Sequence, residues 1–436
     1  MNDRKNNPFS PGGIVKTSLF GGRHQYILQI LKRLSSVKSG KPASFYLFGE
    51  RGIGKTALAK LISFISTARD ERFYDLDFLV SYYIAQQHQG FKSILESSLN
   101  NIADQIEGPL LAKIGSRLGK VFKNGKFSIG AFGLSAGYEN KINAPSETLI
   151  IKDQVVSILR NVITQLRENP IDEIIKNGVL IIIDEMDNIE DIEIAASIIR
   201  GITTELDFED LGYVSFLLIG YASSHEIFVK GDESIRRLID TIHLTEMPED
   251  EVIETFEKGF KEAGVEWNKN VLEENVWLTG GYPLAIQVLG YHLIESDTNS
   301  FIDQDDWEES ISKSSVELID KEFSSYYSFG TRLKKNTDRI LISLAISSIN
   351  CDSLSLKEIE KLSEVKNPSQ YVKQLMKNGV VTRDRLTGEY TIKRGLLRTS
   401  IILDMRDSFP DEFIQRFSKI NALAKEIAQE KNHKKS

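Results

Sequence analysis

A lysine and a threonine close a glycine-spaced run, Gly49-Glu50-Arg51-Gly52-Ile53-Gly54-Lys55-Thr56. The apolar stretch Ser44-Phe45-Tyr46-Leu47-Phe48 precedes it and reads as a strand; Ala57-Leu58-Ala59-Lys60-Leu61-Ile62 follows and reads as a helix. At this G-x-x-x-x-G-K-T spacing the glycines let the backbone curl, so that its N–H groups and the helix start at Ala57 face a phosphate with no side chain in the way. Lys55 would reach the outer phosphates of a nucleotide, and Thr56 would offer its hydroxyl to Mg2+. The alternative is a glycine-rich turn that binds nothing, and the flanking strand and helix argue against it.

A second stretch supplies the acids. Val179-Leu180-Ile181-Ile182-Ile183-Asp184-Glu185 is an unbroken apolar run ending in two carboxylates, which predicts a strand buried on both faces. Ligands of open parallel sheets bind at the C-terminal edge, where these acids fall. Asp184 would hold Mg2+ through its water shell, and Glu185 would orient or deprotonate the water that attacks ATP. A switch that binds ATP and hydrolyses it slowly or not at all is the alternative for Glu185.

The whole chain constrains what surrounds these motifs. Its 436 residues leave room for two or three domains, and 41% hydrophobic with 27% charged residues is a globular composition. A net charge of -8 offers nucleic acid no general attraction, so any contact with it must be local. The single cysteine, Cys351, excludes an internal disulfide and fits a reducing cytoplasm. The polar start carries no signal peptide, and no apolar stretch approaches membrane-spanning length.

In chain order, residues 1–40 read as a strap with Pro8, Pro11, Gly12 and Gly13, then an amphipathic helix from Tyr26 to Leu34. Phe78–Ile84 reads as a strand, residues 90–106 as a helix, and the glycine-punctuated stretch near 118–142 as an inserted hairpin carrying Lys120, Lys123 and Lys126. That hairpin either touches a pore, DNA or a partner, or is surface decoration. Helices over about 148–168 and 194–206 flank the acidic strand, and Val214–Tyr221 is a further buried strand.

The order Phe20-Gly21-Gly22-Arg23, helix, strand and phosphate loop resembles the AAA+ ATPases close to the origin-recognition and STAND groups. The resemblance implies a three-layer α/β P-loop NTPase core of the ASCE/AAA+ class with a parallel sheet over 41–246. A helical lid would follow over 247–320, a winged helix over 321–405, and a C-terminal helix with a basic tail over 406–436. It also implies Phe20, Gly22 and Arg23 beside adenine, with plain packing of Phe20 as the alternative. Arg237, or else Arg236, would be an arginine finger for the neighbouring subunit; a solvated basic helix end is the other reading. Pro283, in Gly280-Gly281-Tyr282-Pro283-Leu284, matches the Gly-x-Pro lid motif that packs near the base. Two departures stand out: Gly220-Tyr221 replaces the usual polar sensor, leaving Ser223 as a weak substitute, and Leu284 stands where relatives carry a sensing arginine.

After about residue 321, three helical stretches, Asp338–Ser347, Ser355–Leu362 and Asn367–Lys377, precede two strands around a turn over 379–392, the pattern of a winged helix. Lys366, Lys373, Lys377, Arg383 and Arg385, with Lys393, Arg394 and Arg398, make a local basic excess that could face duplex DNA. The apolar Tyr371, Leu375 and Met376 require part of the third helix to be buried. Three readings follow: an ATP-driven switch acting as a homo-oligomer, a DNA-binding replication or transposition regulator with structural ATP, or a scaffold for a separate effector. For the last, antiviral defence in bacteria is a setting implied by family analogy alone.

Overall fold

The computed structural model describes residues 6–12, 21–106, 108–118, 122–123, 126–129, 146–168, 176–322, 336–348, 350–351, 353–384, 387–392, 395–408 and 410–435. The chain divides into two compact units, Arg23–Thr245 and a second made of Glu246–Ser436 with Met1–Gly22. The stretch 1–40, which reads as one lead-in, is therefore shared between them. Phe9 explains the division: it is buried against the rings of Phe256 and Phe260, 5.9 and 6.0 Å away, all in the second unit.

The first unit runs α1 (His24–Val37), β1 (Ser44–Gly49), α2 (Lys55–Ser66), β2 (Phe78–Ile84), α3 (Phe91–Ala103), α4 (Gly108–Leu118), β3 (Phe122–Lys123) and β4 (Lys126–Phe127). It continues with α5 (Glu147–Glu168), β5 (Gly178–Asp184), α6 (Ile192–Phe208), β6 (Val214–Gly220), α7 (Ala222–Gly231) and β7 (Ile239–Leu244). Five strands form one parallel sheet in the order β2-β5-β6-β1-β7. Every residue of β5 and of β6 is buried, as a strand covered by helices on both faces requires. α2 buries Leu58, Ala59, Ile62 and Ile65, one helical stripe against the sheet. This is the P-loop NTPase fold.

Two helices of this unit escaped the sequence reading. α4 begins at Gly108 and Pro109, a proline at a helix start that its neighbours obscured. α7 follows β6 after a single residue, Tyr221. Of the inserted hairpin, β3 and β4 pair antiparallel through Phe122↔Phe127 and Lys123↔Lys126. Lys120, like Phe20, lies outside the described residues.

The second unit is mostly helical: α8 (Glu249–Ala263), β8 (Glu266–Trp267), α9 (Lys269–Thr279), α10 (Pro283–Ser296), β9 (Phe301–Ile302) and α11 (Gln304–Glu322). Acids in the first turn of α8 and Gly264 in the left-handed conformation at its end suit the helix dipole and the C-cap. Then come α12 (Asn336–Ser347), α13 (Leu356–Ser363), α14 (Ser369–Lys377), the antiparallel pair β10 (Val381–Arg383) and β11 (Tyr390–Ile392), α15 (Gly395–Ser408) and α16 (Pro410–Lys435). Ser355 and Glu358 close a capping box on α13. Among the described residues no helix is long and apolar enough to cross a membrane.

Candidate functional site

The loop from Gly49 to Thr56 leaves the C-terminal end of β1 and enters α2. Gly52 and Gly54 hold φ of 75° and 92°, left-handed values that a side chain resists. With these turns the loop folds back over the start of α2, whose first N–H groups have no partner within the helix. Such a cradle suits an anion.

Lys55 reaches back across the loop. Its ammonium donates to the carbonyls of Gly49 at 3.0 Å and Glu50 at 2.9 Å, and lies 4.4 Å from the centre of the Tyr221 ring. Burial pushes its pKa down, while the carboxylates of Asp187, Glu185, Asp184 and Glu50 work against that shift. The ammonium thus faces both the cradle and a group of acids.

Asp184 ends β5 and is buried. Its Oδ2 accepts from the Thr56 hydroxyl at 2.9 Å and from the Tyr82 hydroxyl at 2.8 Å, and its Oδ1 accepts the Glu185 N–H at 2.9 Å. Thr56 and Asp184, placed on α2 and β5, are therefore brought together. Their hard oxygens are the donor type that Mg2+ takes, and the crowded carboxylates call for a cation. Glu185 follows with φ 60° and ψ 46°, a left-handed conformation that costs a non-glycine residue about 1–2 kcal/mol. Its carboxyl is pushed above the ordinary glutamate range by burial first, then by Asp184 and Asp187. Such a carboxylate is a stronger base than a solvated one.

Tyr221 and Tyr82 are the functional residues that the sequence did not reveal. β6 lies between β1 and β5, so whatever follows Gly220 stands between the phosphate loop and the acids. A Cβ on Gly220 would fall 2.5 Å from Ser224 Oγ and 2.9 Å from the Tyr46 hydroxyl, so the turn needs glycine. The Tyr221 N–H donates to the Asp187 carboxylate at 3.1–3.2 Å and to Ser224 Oγ at 3.1 Å. Ser224 also accepts from the buried Tyr46 hydroxyl at 3.0 Å. Ser223, by contrast, is exposed on the first turn of α7.

The remaining candidates fall elsewhere. Arg23, buried at the start of α1, donates to the carbonyl of Ile53 at 3.0 Å and to that of Thr245. Its guanidinium thereby braces the phosphate loop against the end of β7. Arg51 is exposed on the loop. Arg236 and Arg237 are both exposed on a short turn of helix, Glu233–Arg237. Arg236 acts on His225, whose pKa burial and that charge together lower. Pro283 belongs to the second unit, where it is the first residue of α10.

Of the basic face expected near α14, Lys366, Lys373, Lys377 and Arg383 are exposed, and Arg383 also donates to the Gly388 carbonyl at 3.0 Å. Arg398 is mostly buried, with Tyr282 and Glu246 acting on its charge. Arg385, Lys393 and Arg394 lie outside the described residues. Val372 and Leu375 form the buried side of α14, and Met376 is exposed, contrary to expectation.

Residues 23–219 match the KAP family P-loop domain, just under half of the chain. Comparison with curated protein sequences finds no match. Among solved structures the chain is similar to the Walker-type ATPase of Pyrococcus abyssi, at 14% identity and TM-score 0.48, covering 88% of this chain and 96% of that one. It is also similar to the Aeropyrum pernix ORC2 protein in its ADPNP-ADP complexes, at 15% identity and TM-score 0.44, covering 92% of each chain. The Aeropyrum pernix ORC1 protein in complex with DNA gives 15% identity and TM-score 0.39, covering 91% of this chain and 94% of that one.

Proposed function

We propose that the chain binds Mg2+-ATP on its phosphate loop and hydrolyses it, using the cycle as a switch. The observation that carries this reading is the Thr56–Asp184 hydrogen bond of 2.9 Å, which sets the hydroxyl and the carboxylate of a Mg2+ site beside the Lys55 cradle. In this reading the loop N–H groups from Gly52 to Ala57 and the Lys55 ammonium hold the phosphates. Thr56 and Asp184 hold Mg2+, which neutralises phosphate charge. Glu185, its basicity raised by its surroundings, takes the proton of the attacking water. Arg23 keeps the loop in shape from behind, through the Ile53 carbonyl.

The trigger and output belong to the same proposal. Arg237 stands free of the site on an exposed turn, a position from which it can complete the site of a second copy. Assembly then licenses turnover, and the second unit, with Pro283 at a helix start and a helix-and-hairpin group from α12 to β11 that we take as a winged helix, passes the state on. A separate effector is compatible with this scheme, since the described residues carry a single candidate catalytic site.

Equilibrium binding of a fluorescent ATP analogue tests the reading. Lys55→Ala removes the ammonium that spans the cradle, and affinity is expected to fall at least about a hundredfold, the loss of a charge-assisted contact of roughly 3 kcal/mol. Unchanged affinity would place the nucleotide elsewhere or deny it altogether.

A further inference from the structure

The second unit contains an open cavity of about 630 Å³ with walls from α9, α11, α15 and α16. That volume is within the range of small-molecule sites. Two of the chain's three tryptophans line it, Trp277 from α9 and Trp307 from α11. Phe417 of α16 meets Trp277 edge to face, with centroids 5.0 Å apart at 85°. Aromatic walls of this kind attract both flat apolar groups and cations. Trp307 is buried, and its indole N–H has no hydrogen-bond partner.

The charges around the cavity are unequally matched. Arg406 lies 5.3 Å from the Trp307 ring centre and 3.7 Å from the Glu308 carboxylate, so its charge has a partner. Glu273 lies 3.5 Å from Lys269, one helical turn away. Glu274, on the same wall, has no ion pair among the described residues. Burial pushes its carboxyl above the ordinary range, with Arg406 pulling the other way and Glu308 adding to the shift. An anion entering here would meet two carboxylates and an arginine already engaged by Glu308 and the Trp307 ring, whereas a neutral guest would desolvate Glu274 without compensation.

We infer that this cavity is a second ligand site, taking a small organic cation: an amine, amidine or guanidine on a flat apolar body. The body packs against the Trp277–Phe417 pair, and the charge lies against Glu274. The site belongs to a different unit from the phosphate loop, and its argument does not draw on the nucleotide reading.

Tryptophan fluorescence of the intact chain tests it, because Trp277 and Trp307 dominate the signal and only Trp267 lies elsewhere. The probes are benzamidinium, neutral benzamide and anionic benzoate, each titrated to 20 mM or about that concentration, in the range of weak small-ligand affinities. The expected result is saturable quenching by benzamidinium alone, weakened at least about threefold by Glu274→Gln and less by Glu273→Gln. Melting followed by circular dichroism confirms that both variants fold. Equal saturation by benzamide would overturn the charge assignment, and a non-saturating response to benzamidinium would overturn the site. Quenching in Glu274→Gln equal to that of the parent chain would overturn the role of that carboxylate.

Discussion

The side chain that most changes the reading of the phosphate loop is Tyr221. Its ring lies 4.4 Å from the Lys55 ammonium, while two loop carbonyls take the ammonium's hydrogen bonds. To meet a phosphate, Lys55 must give up some of these contacts, and each one kept in reserve weakens the gain. A cation–π contact is worth about 0.5–2 kcal/mol. Tyr221→Leu is therefore expected to tighten ATP binding about two- to thirtyfold, whereas Tyr221→Phe, which keeps the ring, leaves it unchanged; titration with a fluorescent nucleotide measures both. Weaker binding by Tyr221→Leu would mean that the ring holds the nucleotide instead. Tyr82 belongs to the same scale: its hydroxyl fixes Asp184 Oδ2 from β2, and burial with the neighbouring Asp184 charge holds its proton on. Neither tyrosine announces itself in the sequence, because a tyrosine in a strand, as Tyr82, or just after one, as Tyr221, reads equally well as packing.

At the scale of elements, the strand order does the positioning. β6 between β1 and β5 puts one turn, Gly220-Tyr221, beside both the phosphate loop and the acids. That turn is packed from three sides by Ser224, Tyr46 and Met186. Gly220→Ala is expected to cost about 1–3 kcal/mol in chemical denaturation, the usual penalty for overpacking, and to loosen Tyr221 with it. A change within about 0.5 kcal/mol would show that Ser224 and α7 yield easily. The strands themselves were legible, since Val179–Ile183 is apolar without interruption, Val214–Ile219 is apolar but for Ser215, and both are buried throughout. Their order was not, because parallel neighbours are chosen by crossover helices distant in sequence. α7 was hidden for another reason: its start, Tyr221-Ala222-Ser223-Ser224, carries no acid or proline, and its N-cap is a tyrosine whose backbone N–H, not its side chain, bonds to Ser224. The motifs of the phosphate loop and acidic strand were legible because their chemistry fixes spacing, whereas Arg23 could not be placed by spacing at all. Its carbonyl partners Ile53 and Thr245 are 30 and 222 residues away.

At the scale of the whole molecule, the chemistry we propose lies in the first unit, and the second is proposed to pass the state on. Arg236 and Arg237 are both exposed, and of the two it is Arg236 whose charge acts on His225. If Arg237 completes the site of a second copy, turnover per chain rises with protein concentration. Arg237→Ala is then expected to lower the plateau about a thousandfold without loss of nucleotide binding. A plateau unaltered by this substitution would assign the finger elsewhere or make each copy self-sufficient. Of the described basic residues that suggested duplex binding, Lys366, Lys373, Lys377 and Arg383 are exposed, while Arg398 is largely withdrawn from solvent. The most direct test of the account is ATP turnover by the intact chain set beside that of Glu185→Gln, at saturating nucleotide and high protein concentration. The account predicts that Glu185→Gln binds ATP as the parent does and turns it over about 10²–10⁴-fold more slowly, the usual contribution of a general base. Equal turnover by the two chains would contradict it.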